Sequence, residues 1–199
     1  HKPVENFLKQ GLHSVQRPFY SVKKGCRTME HSISSAQWYQ LDELTATIYN
    51  TSFDHLFEVV LKGIKQLVPY SHSLTYLLRS EDGLNVSFNF KSDEIPPEHL
   101  RLYLDKYSRL DFINWYTGTC AAEVFRESDI LPNDLRERSI FMKNWMEPIG
   151  LYHGAGMVIW CKGISYGSIF LYRPKDAEDF SGQELEVLRV INRHLCLRA

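Results

Sequence analysis

The stretch that decides the fold runs from Asn144 to Ala199, NWMEPIGLYHGAGMVIWCKGISYGSIFLYRPKDAEDFSGQELEVLRVINRHLCLRA. Pro148 and Gly150 end a helix near its start, because proline lacks a backbone N–H and glycine accepts a positive φ. The apolar segment Met157–Cys161 has no helical spacing, and a second apolar segment, Tyr166–Tyr172, follows after a short polar turn. This pattern predicts two adjacent antiparallel strands.

A long amphipathic helix follows these strands. Arg173–Asp176 breaks the second strand, and Ser181 can cap a helix over Gln183–Ala199, with Glu184 completing a capping box. One apolar stripe of the helix consists of Leu185, Leu188, Ile191 and Leu195, and a second consists of Val187, Val190 and Leu197. Two stripes need more cover than one sheet provides. The second partner could be the same helix of another subunit, the helix predicted at residues 38–49, or an output domain absent from the chain.

Three motifs of this stretch occur together in a known family. They are Trp145-x-x-Pro148-x-Gly150-x-x-His153, the segment Gly167–Arg173, and Asp179-Phe180-Ser181 before the leucine-rich helix. Together they resemble the end of the GAF-like sensor domain of LuxR-type helix-turn-helix transcription regulators, and the resemblance extends loosely back to Thr51. It implies an α+β fold, GAF-like and related to PAS domains, with a central antiparallel sheet flanked by helices. It also implies that DNA is bound only through a C-terminal helix-turn-helix domain, which is missing here.

The N-terminal half of the chain supplies further elements of such a fold. Apolar residues at helical spacing predict a helix over Ser34–Tyr49 and a second helix, opened by a capping box at Thr51–Asp54 and ended by Pro69. Alternating patterns predict a hairpin of two strands, Ser73–Leu78 and Asn85–Phe90. The predicted buried faces hold Trp38, Leu41, Leu44 and Ile48 in the first helix, and Phe53, Phe57, Val60, Leu61, Ile64 and Val68 in the second.

The middle of the chain is less regular. Pro96-Pro97-Glu98 can begin a helix, Ala122–Phe125 can form a short strand, and Asn133 or Asp134 can cap a further helix. The predicted inward side chains are Leu100, Leu104 and Tyr107 in the first of these helices, and Leu135, Ile140, Phe141 and Trp145 in the second. Helices that alternate with antiparallel hairpins around one sheet are typical of an α+β domain.

Charge divides the chain into an arm and a body. Residues 1–28 contain six lysines and arginines against one glutamate, whereas the whole chain has a net charge of -1. The chain begins at His1 and its first methionine is Met29, so the arm need not be native sequence. We therefore predict a basic arm at residues 1–28, a flanking helix at 29–50 and a GAF-like sensor domain at 51–199.

The composition argues against several functions. With 199 residues and 44% hydrophobic content, the chain can bury the core of one domain. Its net charge of -1 lacks the positive field on which nucleic-acid affinity depends. No apolar run approaches the ~20 residues needed to cross a bilayer, so we expect a cytoplasmic protein without membrane contact. The four cysteines stand apart, which is typical of reduced thiols and not of a disulfide framework or a zinc site.

Catalytic and cofactor motifs are absent from the sequence. The histidines show no metal-ligand spacing, no G-x-S-x-G elbow accompanies His153-Gly154-Ala155-Gly156, and no GxxxxGK phosphate loop occurs. Gly154 and Gly156 instead indicate a strand that lies close to a neighbouring backbone or a ligand. Lys91–Glu94 matches cyclic-nucleotide-binding GAF domains only in part, and no Cys-His pair offers a bilin attachment. We therefore predict a non-enzymatic domain and infer no named cofactor.

The aromatic residues are the best candidates for a ligand site. The chain has 11 tyrosines and 4 tryptophans, more than a core normally hides. Each combines a large apolar face with one polar atom, as sensor pockets need. Ordinary core packing is the alternative explanation. The predicted ligand-binding residues are Tyr76, Phe88, Tyr107, Phe112, Trp115, Tyr116, Trp145, Tyr152 and Met157.

These features together predict a domain that senses an unknown small-molecule effector and forms a homodimer through its flanking helices. The predicted dimer or output residues are Leu185, Leu188, Ile191 and Leu195. A ligand that binds two arrangements of the last helix unequally would shift their populations, and DNA affinity could follow. The alternative is a dimerisation-only module with a filled core and no ligand. An enzyme is less favoured and would require convergent polar groups with perturbed pKa values in a cleft.

Overall fold

A five-stranded antiparallel sheet forms the centre of the computed structural model, which describes residues 33–81, 84–118, 123–162 and 164–198. The strand order is β2-β1-β5-β4-β3. The strands are β1 (His72–Glu81), β2 (Leu84–Asp93), β3 (Val124–Arg126), β4 (His153–Cys161) and β5 (Ile164–Arg173). Both predicted hairpins, β1–β2 and β4–β5, are confirmed, as is the α+β class. The predicted arm at residues 1–28 lies outside the described residues.

Three long helices cover one face of the sheet. They are α1 (Ser35–Asn50), α2 (Phe53–Leu67) and α7 (Gly182–Arg198). Their apolar stripes meet Ile169 and Leu171 of β5 in one buried cluster, while Phe170 and Tyr172 point to the other face because successive strand residues alternate. Among the described residues, no helix is long and apolar enough to cross a membrane.

Short helical segments cover the opposite face. They are α3 (Pro97–Leu102), α4 (Phe112–Gly118), α5 (Glu127–Ile130) and α6 (Asn133–Arg136), with π-helical turns at Tyr103–Tyr107 and Met142–Met146 and a 3-10 turn at Glu147–Ile149. The last turn ends at Gly150, whose φ of 73° confirms the predicted glycine stop. Broken helices make this layer less regular than the three long helices.

The long helices begin in different ways. Ser181 and Glu184 form the predicted capping box of α7, since the Glu184 N–H donates to Ser181 Oγ at 3.2 Å and the Ser181 N–H donates to Glu184 Oε2 at 2.7 Å. A capping box also opens α1, from Ser34 and Gln37. The capping box predicted at Thr51–Asp54 is wrong, because Ser52 makes no side-chain capping hydrogen bond at the start of α2.

Helix α1 is the second partner that was predicted from the two apolar stripes of α7. Gln183 Nε2 donates to Gln37 Oε1 at 3.1 Å, the Tyr49 hydroxyl lies 3.1 Å from His194 Nδ1, and Arg198 Nη1 donates to the Tyr49 carbonyl at 2.8 Å. Leu41, Leu44 and Ile48 of α1 are buried in the same cluster as α7. Within one chain, α1 therefore covers α7.

Several side chains predicted to point inward are exposed. They are Trp38, Phe53, Leu104, Leu135 and Ile140. Trp38 and Phe53 lie in the first turns of their helices, where about half of each side chain is exposed. Tyr103 takes the place predicted for Leu104, because both fit helical spacing from Leu100 and the Tyr103 hydroxyl gains a buried partner. Arg136 likewise is buried next to Leu135. The predicted cap at Asn133 or Asp134 is wrong, since Pro132 occupies the N-cap position of α6.

Candidate functional site

The second face of the sheet carries a dense cluster of aromatic side chains, here called the aromatic face. The strands contribute Tyr76, Phe125, Phe170 and Tyr172, and the short helical segments contribute Tyr103, Tyr107, Phe141 and Trp145. All eight side chains are buried. Aromatic side chains at this density supply the largely apolar lining that small-molecule sites use.

Trp145 is the hub of the aromatic face. Its ring stacks on Phe141 at 5.2 Å and lies 4.9 Å from Tyr103 and 6.4 Å from Tyr172, all between ring centroids. The indole N–H donates to the His99 carbonyl at 3.1 Å, and His99 Nε2 donates to the Trp145 carbonyl at 2.7 Å. These two reciprocal hydrogen bonds tie α3 to the π-helical turn, so the orientation of Trp145 is fixed on both sides.

Asp111 places a carboxyl group inside this apolar surrounding. Asp111 Oδ2 accepts from the Tyr103 hydroxyl at 2.9 Å, and Oδ1 accepts from the Ile113 N–H at 2.8 Å. Asn114 Nδ2 in turn donates to the Tyr103 oxygen at 3.0 Å. Burial raises the pKa of Asp111 to about 6, although both hydrogen bonds act to lower it. The aromatic face therefore contains an acidic hydrogen-bonding group.

A second buried acid, Glu127, lies at the other end of the aromatic face. Its Oε2 lies 3.7 Å from Nη1 of Arg136, and both side chains are about 1% exposed. Arg136 Nη1 also donates to the Tyr152 carbonyl. Burial raises the pKa of Glu127 to about 8, and the charge of Asp111 adds to this rise while Arg136 opposes it. The two acids thus lie close enough to influence each other.

Two glycines of β4 make room for this end of the site. A Cβ atom at Gly154 would lie 2.2 Å from Glu127 Cδ, and one at Gly156 would lie 2.4 Å from Phe125 Cζ. The cross-strand neighbours of these glycines are Tyr172 and Phe170. A neighbouring backbone or a ligand was predicted at these glycines, but the groups that approach them are side chains of the segment Phe125–Glu127.

The structure brings most of the predicted ligand-binding residues together. Tyr76, Tyr107, Trp145 and Tyr152 are buried at the aromatic face, and Phe112 and Tyr116 are half-buried against it. Phe88 lies in β2 and Trp115 in α4, but their side chains lie outside the described part. Met157 is buried on the opposite face with α1, α2 and α7, so it does not join the group.

Several buried residues with polar side-chain atoms were missed as candidates for this site. They are Asp111, Glu127, Arg136, Tyr103 and Tyr172. An acid between apolar neighbours, as in Leu110-Asp111-Phe112, is a weak signal of burial that could have been used. Glu127 and Arg136 lie among other charged residues and carry no such signal.

The predicted dimer or output residues of α7 lie inside the chain. Leu185, Leu188, Ile191 and Leu195 are buried against α1, α2 and the sheet. Other apolar side chains of these helices are exposed: Trp38 and Tyr39 of α1 and Leu197 of α7 expose 51%, 66% and 67% of their surface, and Tyr49 of α1 and Phe53 of α2 expose 44% and 51%. A second subunit that approached these helices would meet the latter set.

A groove of about 340 Å³ lies beside α2, outside the predicted site. Phe57, Leu61 and Tyr70 line it, together with several lysines. Lys62 pairs with Glu58 at 2.7 Å and Lys65 pairs with Asp93 at 3.2 Å. Most of the positive charge of the groove is therefore neutralised by acids of the same chain. Within the described ranges, no group of three or more histidine, cysteine or acidic side chains could hold a metal ion.

Comparison with solved structures identifies the fold. The LBD (ligand-binding domain) of VqsR from Pseudomonas aeruginosa superposes with a TM-score of 0.58 at 12% identity, covering 82% of this chain and 94% of that chain. The GAF domain of an Acinetobacter phosphoenolpyruvate-protein phosphotransferase gives a TM-score of 0.59 at 14% identity, covering 82% and 92%. The chain has a GAF-like fold. No protein-family model and no curated protein matches the sequence.

The GAF-like fold of this chain is also similar to a structure from a LuxR-family regulator. CepR2 from Burkholderia cenocepacia, described as an N-acylhomoserine lactone dependent transcription factor, gives a TM-score of 0.58 at 13% identity, covering 81% of this chain and 97% of that chain. The predicted fold is therefore confirmed, and LuxR-family domains and GAF domains both share it. At these identities the likeness is one of fold, and the chemistry of the site depends on this chain's own residues.

Proposed function

We propose that this GAF-like domain is a non-enzymatic sensor whose effector is a small, largely apolar molecule that binds at the aromatic face. The observation that carries the proposal is Asp111, an acid buried among aromatic rings and held by the Tyr103 hydroxyl and the Ile113 N–H. A core that serves packing alone gains nothing from a buried carboxyl group, which costs free energy to desolvate. A ligand site needs such a group to orient its ligand.

The two faces of the sheet differ in a way that supports this location. The face under α1, α2 and α7 is covered by regular helices with aliphatic stripes. The aromatic face is covered by short helices, two π-helical turns and loops. π-Helical turns occur frequently at functional sites. The predicted ligand residues Tyr76, Tyr107 and Trp145 lie on this face.

The similar structures support the same class of function. One is named a ligand-binding domain, and another is described as an N-acylhomoserine lactone dependent LuxR-family transcription factor. We infer that this chain is the sensor part of a comparable regulator and would bind DNA only through a separate C-terminal domain. N-acylhomoserine lactones are the first effectors to try, since they join an apolar chain to an amide and a lactone.

The output path in this proposal runs through α1 and α7. The two helices are joined by hydrogen bonds at both ends, from Gln183 to Gln37 and from Arg198 to the Tyr49 carbonyl. α7 also contacts the sheet, where Asn192 Nδ2 donates to the Val158 carbonyl at 3.0 Å. An effector that changes the sheet would therefore reach both helices. A homodimer would use their exposed residues Trp38 and Tyr39 and not the buried stripe.

The competing function is a dimerisation module without a ligand. Native mass spectrometry of the purified chain separates the two, because one spectrum reports the subunit count and any retained small molecule. The proposal predicts a dimer with a defined extra mass, either retained through purification or taken up from N-acylhomoserine lactones of increasing chain length. A dimer that takes up none of them while folded would favour the module.

Adjacent residues of β5 offer a matched control for the binding face. Phe170 lies on the aromatic face, between Tyr76 at 5.9 Å and Phe125 at 6.4 Å, whereas Ile169 lies on the opposite face. Phe170→Leu should reduce the bound mass and Ile169→Val should not, although both remove buried apolar volume. Equal occupancy in the two variants would contradict the assignment of the ligand to the aromatic face.

A further inference from the structure

The buried pair Glu127 and Arg136 contains two polar atoms without a hydrogen-bond partner. Glu127 Oε2 and Arg136 Nε are both fully shielded from solvent and make no hydrogen bond. The other guanidinium nitrogens of Arg136 are engaged, since Nη1 donates to the Tyr152 carbonyl and Nη2 donates to Asn133 Oδ1 at 3.3 Å. A buried polar atom without a hydrogen-bond partner raises the free energy of the folded state. Two such atoms side by side therefore indicate that a ligand group pairs with them.

The unpaired atoms belong to the polar end of the aromatic face. Glu127 lies over Gly154, whose missing side chain leaves the space that the carboxyl group fills. The cross-strand neighbour of Gly154 is Tyr172, whose ring lies 6.4 Å from that of Trp145. The carboxyl group of Glu127 thus lies on the same face of β4 and β5 as the aromatic rings.

The hydrogen-bonding character of the pair depends on the protonation of Glu127. The groups that act on it are Asp111, Arg136 and Asp179, and Tyr172 faces it from β5. Burial raises the pKa of Glu127 to about 8, with Asp111 and Asp179 adding to the rise and Arg136 opposing it. At neutral pH the carboxyl group thus carries a proton and can donate. Arg136 Nε also donates, so the pair offers two donors and needs an acceptor.

We propose that Glu127 and Arg136 bind an acceptor oxygen of the effector, a carbonyl or carboxylate oxygen, as a second polar contact in addition to Asp111. The proposal rests on the proposed ligand site at the aromatic face. A protonated amine is disfavoured here, because Arg136 Nη1 already lies 3.7 Å from the oxygen that would receive it. The effector therefore has an apolar body with an acceptor group at one end.

Three probes with the same six-carbon chain test this inference. They are hexanamide, N-hexanoyl homoserine lactone and hexylammonium, and their affinities are measured by ligand-observed NMR titration between pH 6.5 and 9. The two probes with a carbonyl should bind the wild type and hexylammonium should not. Because the donor form of Glu127 is lost as the pH rises through about 8, affinity should fall about ten-fold between pH 7 and pH 9.

Substitutions of Glu127 separate a donor from a structural group. Glu127→Gln keeps an N–H donor, so its affinity at pH 7 should stay within about three-fold of wild type and its pH dependence should vanish. Glu127→Leu keeps the volume without a donor and should weaken binding by about two- to ten-fold at pH 7. Asp134→Asn, an exposed acid on α6, is the matched control and should keep the wild-type profile. Circular dichroism confirms folding of each variant.

The outcomes distinguish this inference from the function on which it rests. If the carbonyl probes bind the wild type with a flat pH profile, or bind Glu127→Gln and Glu127→Leu equally, the contact with Glu127 is wrong while the sensor function stands. Preferential binding of hexylammonium would also overturn the contact and assign an ammonium to Glu127. If none of the probes binds the folded wild type, the proposed function fails and this inference fails with it.

Discussion

The two faces of the sheet are covered in different ways, although the same strands form both. In β5, Ile169 and Leu171 pack against the aliphatic stripes of α1, α2 and α7, while Phe170 and Tyr172 meet aromatic rings and buried acids. The first face, here called the aliphatic face, is covered by the three long helices. The second contains broken helices with π-helical turns. The regular helices thus cover the face on which aliphatic packing dominates, although Asn192 of α7 is also buried there.

The two faces contribute differently to the free energy of folding. Aliphatic burial stabilises a fold by about 25 cal/mol per Å² of apolar surface, without polar atoms to satisfy. The aromatic face instead buries Asp111, Glu127 and Arg136, each of which costs free energy to remove from water. Proteins tolerate such groups mainly at functional sites.

The largest expected effect comes from truncation on the aliphatic face. Leu188→Ala should lower the free energy of unfolding by about 2–5 kcal/mol, because the side chain is fully buried in the centre of α7's stripe and leaves a cavity. Urea unfolding of the wild type and the variant measures it. A loss below about 1 kcal/mol would contradict the comparison, because the aliphatic face would then contribute little to the stability of the fold.

The next effect concerns the acid on the aromatic face. Burial raises the pKa of Asp111 from 3.8 to about 6, so the folded chain holds this proton more tightly than the unfolded chain. Its contribution to stability therefore falls as the pH rises from about 4 to about 6, by about 3 kcal/mol. Asp111→Asn should remove this part of the decline and leave the part that Glu127 causes, because burial raises the pKa of Glu127 from 4.5 to about 8. Unfolding free energies of both proteins at pH 4, 5, 6 and 7 test it, and parallel curves would show an ordinary pKa.

A smaller effect is expected from filling the space beside Glu127. Gly154→Ala should destabilise the fold by about 1–3 kcal/mol, because the new Cβ would overlap the carboxyl group. The loss should shrink in the double variant Gly154→Ala/Glu127→Ala, as a double-mutant cycle would reveal. Gly182→Ala is the matched control, since no atom lies within 4 Å of the Cβ it would add. Additive losses would mean that the two groups do not touch.

The smallest effect on subunit stability is expected on the outer surface of the long helices. Tyr39→Ser should change the free energy of unfolding by less than about 0.5 kcal/mol, since the side chain is largely exposed. It should nevertheless lower the dimer fraction if α1 contributes to the subunit interface. Sedimentation equilibrium at several concentrations measures this. Unchanged dimerisation would move the interface elsewhere and leave α1 as a cover for α7.

The sequence predicted the elements whose patterns are local. The β4–β5 hairpin and α7 follow from Pro148, Gly150 and the Ser181 capping box, all of which act within a few residues. The exposed Trp38 and Phe53 were misplaced because a helical stripe does not reveal which of its turns other elements cover. Tyr103 and Leu104 fit the same spacing, and only the tertiary partner Asp111 decides between them.

The candidate site was predicted less completely than the fold. On the described part of the chain, the aromatic residues predicted for the site share one face of the sheet, whereas the predicted Met157 lies on the other face. The alternation of β4 could have excluded Met157, because Gly154, Gly156 and Val158 share one face and Met157 lies on the other. The burial of Glu127 and Arg136 could not have been predicted from their neighbours in the sequence. It depends on Gly154, which follows both residues in the chain and lies in β4.

The methionines allow the most direct test of the central claim, which is that the aromatic face binds the effector and the aliphatic face does not. Met142 and Met146 are buried on the aromatic face and Met157 on the aliphatic face. With methyl-labelled methionine, titration with N-hexanoyl homoserine lactone should shift the NMR signals of Met142 and Met146 and leave that of Met157 in place. A shift confined to Met157, or no shift of any of the three at saturating ligand, would contradict the account.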